Sequence, residues 1–303
     1  MESFFTSMTI DPKTIPVPQL HGYLLGAIGP RPIAFASTVD SNGNVNLSPF
    51  SFFNVFSANP PIMIFSPARR GRDNTTKHTY ENVKDVKEVV INVVNHSIVE
   101  QMSLSSTEYG KGVNEFVKAG LTPIDSECVK PPRVKESPVQ FECVVNDVVE
   151  LGQNGGAGNL VICEVVRIHI DEAILDESGR IDQLKIDLVG RMGGNWYVHA
   201  SEKSMFEVAK PLSTLGIGID NIPAFIRNST VLTGNELGKL GNIEQIPNET
   251  DVNDFKLTEL SELFIELEEQ PAELEQSLYN KAKTYLENNQ VEQAWMTLLS
   301  YND

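Results

Sequence analysis

Cysteine, long apolar runs and basic residues are all scarce in this 303-residue sequence, and each scarcity excludes a class of protein. The three cysteines are widely spaced without a CxxC pair, which argues against a disulfide framework or a zinc site. No window approaches 18 continuous apolar residues, and the N-terminus lacks a basic region followed by an apolar run. Basic residues are outnumbered 24 to 41, and the net charge of −17 opposes nucleic-acid binding. We therefore expect a cytoplasmic protein with neither a membrane nor a nucleic acid as partner.

The motifs of several enzyme classes are missing as well. No Ser/His/Asp triad, carboxylate dyad or metal-spaced histidine cluster stands out, so we expect no metal. GxGxxG does not occur between a strand and a helix, and a Rossmann domain is therefore not supported.

Short β-rich runs separated by Gly, Pro and Asn turns extend from Ile28 to about Val198. This spacing favours an antiparallel barrel or sandwich. Asn42-Gly43 predicts a tight turn, with hairpin strands over 33–39 and 44–50. The pattern predicts a mainly β domain with helical additions over residues 1–202.

Three helices are predicted to interrupt these strands. The first covers 79–88 and has Thr79 as its cap and Asn82 at the third position; the second covers 97–109 and begins with a Ser97/Glu100 capping box. A further short helix is expected after Gly110, in KGVNEFVKAG.

Residues 203–303 have a different character, with 17 acidic and 7 basic groups and apolar residues at helical spacing. One stripe begins at Leu257, a second follows Pro271, and a third includes Trp295. We expect an acidic, mainly helical extension. Its last two helices faintly resemble one tetratricopeptide unit, but such units are stable only in stacks, so core packing or a dimer contact is the favoured interpretation.

The most informative stretch is NLSPFSFFNVFSANPPIMIFSP, residues 46–67, followed by ARRGRDNTTKHTYEN, residues 68–82. If 46–56 is one strand, polar side chains lie on both of its faces, and buried polar groups need partners. A flavin ring would supply them, although core aromatics beside turn residues would give the same composition. The second stretch places Arg69, Arg70, Arg72 and Lys77 before a helix start, an arrangement that suits a phosphate, although an exposed basic loop is the simpler alternative.

Residues 20–199 closely resemble the flavin reductase-like family, through IGPRPIAFASTVDSNGNVNLSPFSFFNVFSANPPIMIFSP, KHTYEN, VVINVV and VGRMGGNWYVHA. The resemblance implies an FMN-binding split β-barrel, a homodimer, and chemistry carried by flavin N5, so that no catalytic residue is named. The residues that it assigns to FMN, together with Arg72 from the basic loop, are Asn46, Ser48, Ser51, Phe52, Phe53, Asn54, Ser66, Arg72, Lys77, Thr79 and Asn82. Arg31 and Arg191 match further family positions, either at the dimer interface or beside the flavin.

The electron donor is less well defined. Many two-component flavin reductases carry Gly-Asp-His where this chain has GGAGNLVICEV, and His169 is interpreted as a packed or edge histidine that does not replace the missing one. We expect an FMN-dependent oxidoreductase that takes a hydride from NAD(P)H and passes electrons to an acceptor such as a partner oxygenase. The alternatives are a flavoredoxin-like FMN electron carrier without NAD(P)H turnover and a non-catalytic dimeric interaction protein.

Overall fold

The computed structural model describes residues 7–211 and 215–301. The chain divides into two compact units, Met1–Phe206 and Glu207–Asp303, a few residues beyond the 202/203 division drawn from the sequence. Within the described ranges, no helix has both the length and the apolar character needed to cross a membrane.

The first unit is built on a seven-stranded sheet in which all neighbouring strands are antiparallel. Its strands are β1 (Ala34–Val39), β2 (Val45–Phe50), β3 (Phe53–Ala58), β4 (Pro61–Phe65), β5 (Glu88–Asn92), β8 (Val139–Glu150) and β9 (Asn159–Ile170). Two small sheets pair β6 (Pro123–Ile124) with β7 (Arg133–Val134), and β10 (Val189–Arg191) with β11 (Tyr197–His199). The order in the large sheet is β2-β1-β5-β8-β9-β4-β3, so the mainly β prediction is confirmed.

Strand β1 is buried on both faces and divides the core of the first unit. Alternate side chains of a strand point to opposite faces, and accordingly Ala34 and Ala36 pack in one cluster with Phe65, whereas Phe35 packs in another with Leu47. The predicted hairpin that begins with β1 is confirmed. Its turn needs a left-handed residue, and Gly43 supplies it with φ 83°.

In the described part of the first unit, four α-helices accompany the sheet: α1 (Val17–Ala27), α2 (His78–Asp85), α3 (Val99–Ser105) and α4 (Glu115–Ala119). The short helix after Gly110 is confirmed by α4, but the predicted capping of α2 and α3 is wrong. Helix α2 has Lys77 as its N-cap without a side-chain cap, because the Thr79 hydroxyl is buried and bonded to Asn46. Before α3, Ser97 lies in a 3₁₀ turn over 96–98 and donates to the Asn95 side chain, so it caps nothing.

The second unit is helical within its described residues. Its helices are α5 (Ala224–Arg227), α6 (Gly234–Leu240), α7 (Glu249–Phe255), a π-helical turn (Lys256–Leu260), α8 (Ser261–Glu266), α9 (Pro271–Glu287) and α10 (Val291–Leu299). The stripes predicted after Pro271 and around Trp295 are buried, but Leu257 is exposed because the π turn changes the helical period. Ile226 and Leu240, from earlier helices of this unit, pack against Trp295. The two terminal helices are therefore covered within their own unit and need no stack of repeats.

Candidate functional site

The polar and aromatic stretch 46–56 is two strands with a break, not one. Strand β2 ends at Phe50 and β3 begins at Phe53, and the backbone carbonyl of Phe52 accepts a hydrogen bond of 2.9 Å from the Ser66 amide. Phe50 is buried against Phe65, with ring centroids 5.6 Å apart, while Phe52 is 41% exposed. The face alternation predicted across 46–56 is therefore wrong beyond Phe50, since the break resets which side chains point inward.

The break brings a set of partly accessible polar and aromatic side chains to one segment. Ser48, Ser51 and Phe53 are half-buried, and Asn54 is exposed with its side-chain oxygen accepting from the Val55 amide at 2.8 Å. Hydroxyls and a carboxamide beside aromatic rings can bind a flat heteroaromatic ligand, because the rings cover its face and the polar groups meet its edge.

Arg31 contacts a side chain at this break and the backbone of two other segments. It is 5% exposed and donates to the carbonyls of Leu25, at 2.8 Å, and Met192, at 2.9 Å, while its Nε lies 3.4 Å from the Ser51 hydroxyl. Burial and, secondarily, Arg191 lower the pKa of Arg31. The structure thus places Arg31 inside the first unit, as a positioning residue for the Ser51 segment.

The basic loop between β4 and α2 is fastened by two of its own arginines. Arg69 donates to the side chain and carbonyl of Asn74, at 2.7 and 2.9 Å, and Arg70 donates to Thr75 Oγ1 at 3.0 Å. Asn74 adopts a left-handed φ of 59° at the turn, a conformation that asparagine tolerates well. Arginine side chains thus shape the loop before any ligand is considered.

A glycine-rich loop between β8 and β9 seats the basic loop. Arg69 and Ala157 form a backbone hydrogen bond of 2.8 Å, and a Cβ on Gly155 would lie only 3.0 Å from the Gly71 carbonyl oxygen. This glycine loop is part of the stretch where many two-component reductases carry Gly-Asp-His. In this chain its local role is close backbone packing, which requires the absence of a side chain at position 155.

Three cations converge at the start of α2, and we call Arg70, Arg72 and Lys77 the cationic cluster. Glu108 contacts all three, with Oε1 at 3.1 Å from Arg70 Nε and 3.8 Å from Lys77 Nζ, and with Oε2 bonded to Arg72. Burial, and then the charge of Arg70, lower the pKa of Lys77. The cluster concentrates positive charge in a protein whose net charge is −17, so this part of the surface favours an anion.

Buried polar pairs join α2 to the sheet. The Asn46 amide donates to Thr79 Oγ1 at 2.9 Å, and the Asn82 amide donates to Thr38 Oγ1 at 3.1 Å. The structure therefore brings together Asn46, Thr79 and Asn82. Lys77 lies at the N-terminus of α2, the helix that carries Thr79 and Asn82. Their bonds fix where α2 begins relative to the strands.

Ser66 and Asn159 form a second buried polar pair. Ser66 Oγ accepts from the backbone N–H of Asn159 at 3.1 Å, and the side-chain Nδ2 of Asn159 donates to the Pro67 carbonyl at 2.8 Å. Asn159 Oδ1 is buried without a hydrogen-bond partner among residues 7–211 and 215–301. Sequence reasoning did not select Asn159, although a polar residue that opens a strand directly after a glycine-rich turn was an available signal.

Glu115 carries a buried carboxylate next to Asn46. It is 5% exposed, and its Oε2 accepts from the Leu47 amide at 3.0 Å. Burial raises the pKa of Glu115 above its usual range, against the opposing effect of that hydrogen bond. The folded protein therefore disfavours the ionised form of this group.

Replacing Glu115 with glutamine should flatten the pH dependence of stability. Because the folded pKa is raised, the native state binds more protons than the unfolded state in the window above about pH 4.3, so wild-type stability falls as pH rises through it. Urea unfolding from acid to neutral pH should show wild type losing stability relative to E115Q. The exposed E177Q change should follow wild type, and parallel profiles for wild type and E115Q would contradict the assignment.

His96, Asp187 and His199 come together although the sequence shows no metal-spaced cluster. Their ligand atoms lie within 4.8 Å of one another, and His199 Nε2 is 2.5 Å from Asp187 Oδ1. The two imidazole rings are stacked, with centroids 4.2 Å apart and an interplanar angle of 13°. Ring nitrogens bind metals in the plane of the ring, so two stacked rings cannot both reach one ion in this arrangement. The group is a pair of stacked imidazole rings, of which His199 is hydrogen-bonded to the Asp187 carboxylate.

His169 lies in β9, and its ring contacts a carboxylate. Its Nε2 is 2.7 Å from Oε1 of Glu142, whose side chain is completely buried. His169 is therefore packed against a buried carboxylate, and its exclusion from nicotinamide binding stays a prediction.

A family model described as "Flavin reductase like domain" matches residues 27–185, and the chain belongs to this family. An uncharacterised protein of Aquifex aeolicus is 41% identical to this chain over 181 residues, which are 60% of this chain and 90% of the relative. The structure is similar to that of nitrilotriacetate monooxygenase component B from Bacillus cereus, with 31% identity, a TM-score of 0.62, and coverage of 67% of this chain and 99% of that one. It is also similar to a candidate flavin reductase with a split-barrel domain from Shewanella frigidimarina, with 29% identity, a TM-score of 0.56, and coverage of 67% and 100%. The fold is thus the split barrel, with a helical C-terminal region outside the matched range.

Proposed function

We propose that this chain binds FMN through the loop and strands around α2 and uses it as an oxidoreductase. The observation that carries the proposal is the cationic cluster at the start of α2, beside the polar and aromatic segment that follows β2. Family membership supports flavin chemistry in general. The choice of FMN, and of the residues that hold it, rests on the resemblance of the sequence to this family together with the geometry of the site.

The start of α2 fits a phosphate in charge and in hydrogen bonding. Among the residues that the structure describes, no side chain caps the helix, so its first amide groups can donate to an anion. The positive end of the helix dipole lies at the same end of the helix. Lys77 and Arg72 would add charge-assisted hydrogen bonds. Thr79 and Asn82 would act by holding the helix in place through their buried partners.

The segment between β2 and β3, with the residues that flank it, fits the ring and the ribityl chain. We assign the hydroxyls of Ser48 and Ser51 to the polar edge of the ring and Phe52 to its face, with Phe53, Asn54, Asn46 and Ser66 completing the wall. Asn159 Oδ1, which has no hydrogen-bond partner within the described part of the chain, is an additional buried acceptor near Ser66. When bound, the flavin would supply the hydride-accepting N5, and this chain's residues would orient it and exclude water.

The dimer and the electron acceptor are further parts of the proposal. Val55 and Phe56 lie on β3, an edge strand, and are 58% and 64% exposed, as expected of an apolar surface that pairs with a second copy. The Bacillus cereus structure is a monooxygenase component by name, and a partner oxygenase is accordingly a candidate acceptor for this chain.

One observation favours a second candidate, an FMN electron carrier. The stretch that carries Gly-Asp-His in many reductases is here the glycine loop that packs on the basic loop. A carrier would bind FMN and exchange electrons with protein partners, without oxidising NAD(P)H itself.

Anaerobic titration of the FMN-loaded full chain separates the candidates. A reductase is expected to lose its oxidised flavin absorption on stoichiometric NADH or NADPH, whereas a carrier would stay oxidised with both and respond only to dithionite. Protein that binds no FMN would overturn the proposal and leave the interaction-protein alternative.

A further inference from the structure

Glu108 contacts all three members of the cationic cluster, although it lies more than 30 positions from each of them in the sequence. It belongs to the exposed segment 106–114 between α3 and α4, and its side chain is 37% exposed. Burial on its own would raise the pKa of Glu108, but Arg72, Arg70 and Lys77 outweigh it and lower the pKa. The carboxylate is therefore an anion bound by three cations.

The charges around Glu108 match a dianion better than they match one carboxylate. Asp73 is the other acidic group at the cluster, and Thr75 and Arg72 hold it in the loop and lower its pKa to about 2. Without Glu108, the cluster and Asp73 have a combined charge of about +2, since each ionised side chain contributes one unit. A phosphate monoester near neutral pH carries close to the opposite charge.

The segment that carries Glu108 also lies over the predicted flavin residues. Lys111, Gly112 and Val113 line one small cavity together with Asn46 and Asn82. The segment has a second tether, an ion pair of 3.5 Å between Lys111 and Glu81. Both tethers are partly exposed, and exposed ion pairs are weak and easily exchanged for other partners.

We infer that Glu108 is an internal competitor of the flavin phosphate, which binds by displacing this carboxylate and its segment from the cationic cluster. The inference rests on the proposed FMN function and adds a determinant of specificity to it. A ligand with a phosphate dianion replaces Glu108 on the three cations, whereas riboflavin, which has no phosphate, leaves Glu108 in place. The segment thus discriminates between phosphorylated and unphosphorylated flavins.

Fluorescence titration of the full chain with FMN and with riboflavin tests this. Replacing Glu108 with glutamine removes the competing charge and should tighten FMN binding by roughly two- to fivefold, the fold-change that corresponds to one ion pair at a partly exposed site. Riboflavin affinity should stay the same. E108D keeps the charge and should bind FMN nearly as wild type does, and E100Q, an exposed change in neighbouring α3, should have no effect.

The outcomes are distinguishable. Unchanged or weaker FMN binding by E108Q would overturn the inference, because Glu108 would then be a structural counter-ion. Equal tightening for FMN and riboflavin would also overturn it, since the segment would then act as a cover without regard to phosphate. If neither wild type nor any variant binds either flavin, the proposed function fails together with this inference.

Discussion

Replacing Lys77 with methionine is expected to weaken FMN binding by about 10- to 100-fold, the range for loss of one hydrogen bond to a charged group. Lys77 is the N-cap of α2, and its side chain is 31% exposed, so a ligand can reach it. Burial and Arg70 disfavour its charge, and Glu108, at 3.8 Å, is a distant partner. A phosphate would give that ammonium a closer and more strongly charged acceptor.

Riboflavin binding separates this effect from a loss of structure. Methionine is unbranched and only one atom shorter than lysine, so K77M should bind riboflavin as wild type does. K87M is the matched control, because Lys87 is exposed and lies in the same part of the chain. Equal losses for FMN and riboflavin would contradict the placement of the phosphate at Lys77.

Replacing Glu142 with alanine should destabilise the first unit by about 3–5 kcal/mol, the usual cost of removing one partner from a buried charge network. Glu142 is fully buried and accepts from the backbone amides of Glu127 and Cys128, at 2.8 and 2.6 Å, and its Oε1 lies 2.7 Å from His169 Nε2. Alanine would remove the acceptor of two backbone amides and the partner of a ring nitrogen. Burial by itself raises the pKa of Glu142, but these hydrogen bonds outweigh it and lower the pKa.

Hydrogen exchange measures this locally. In E142A, amides of β5 and β8 should exchange faster, and those of α9 and α10 serve as the internal reference. E142Q keeps a hydrogen-bond acceptor and should lose less stability than E142A. The folded pKa of Glu142 is lowered, so its contribution to stability is present above the unfolded pKa and is lost as pH falls through the folded pKa. The difference in the free energy of unfolding between wild type and E142Q should therefore decrease in acid. A difference in unfolding free energy that does not change with pH would contradict a lowered pKa for Glu142.

The strands could be predicted from the sequence because their signals are local. Apolar alternation and Asn42-Gly43 define the first hairpin without reference to the rest of the chain. The caps could not be predicted in the same way, because the hydroxyl of Thr79 is taken by Asn46, 33 residues earlier. The break after Phe50 escaped prediction because aromatic and polar residues continue through it without a glycine to mark it.

The candidate site shows the same division. The basic loop is visible in the sequence as four cations in nine residues, but its counter-ion is not, since Glu108 lies 36 residues beyond Arg72. Asn159 and the glycine loop likewise enter the site through the pairing of β9 with β4. Long-range pairing therefore decides which of the predicted residues can act together.

The most direct test of the central claim compares FMN with riboflavin on the wild-type chain by calorimetric titration. If the cationic cluster holds the flavin phosphate, FMN should bind about 100-fold or more tightly than riboflavin, since several charge-assisted hydrogen bonds depend on that group. The preference should shrink as salt is added. Equal affinities for the two flavins, or no binding of FMN, would contradict the account.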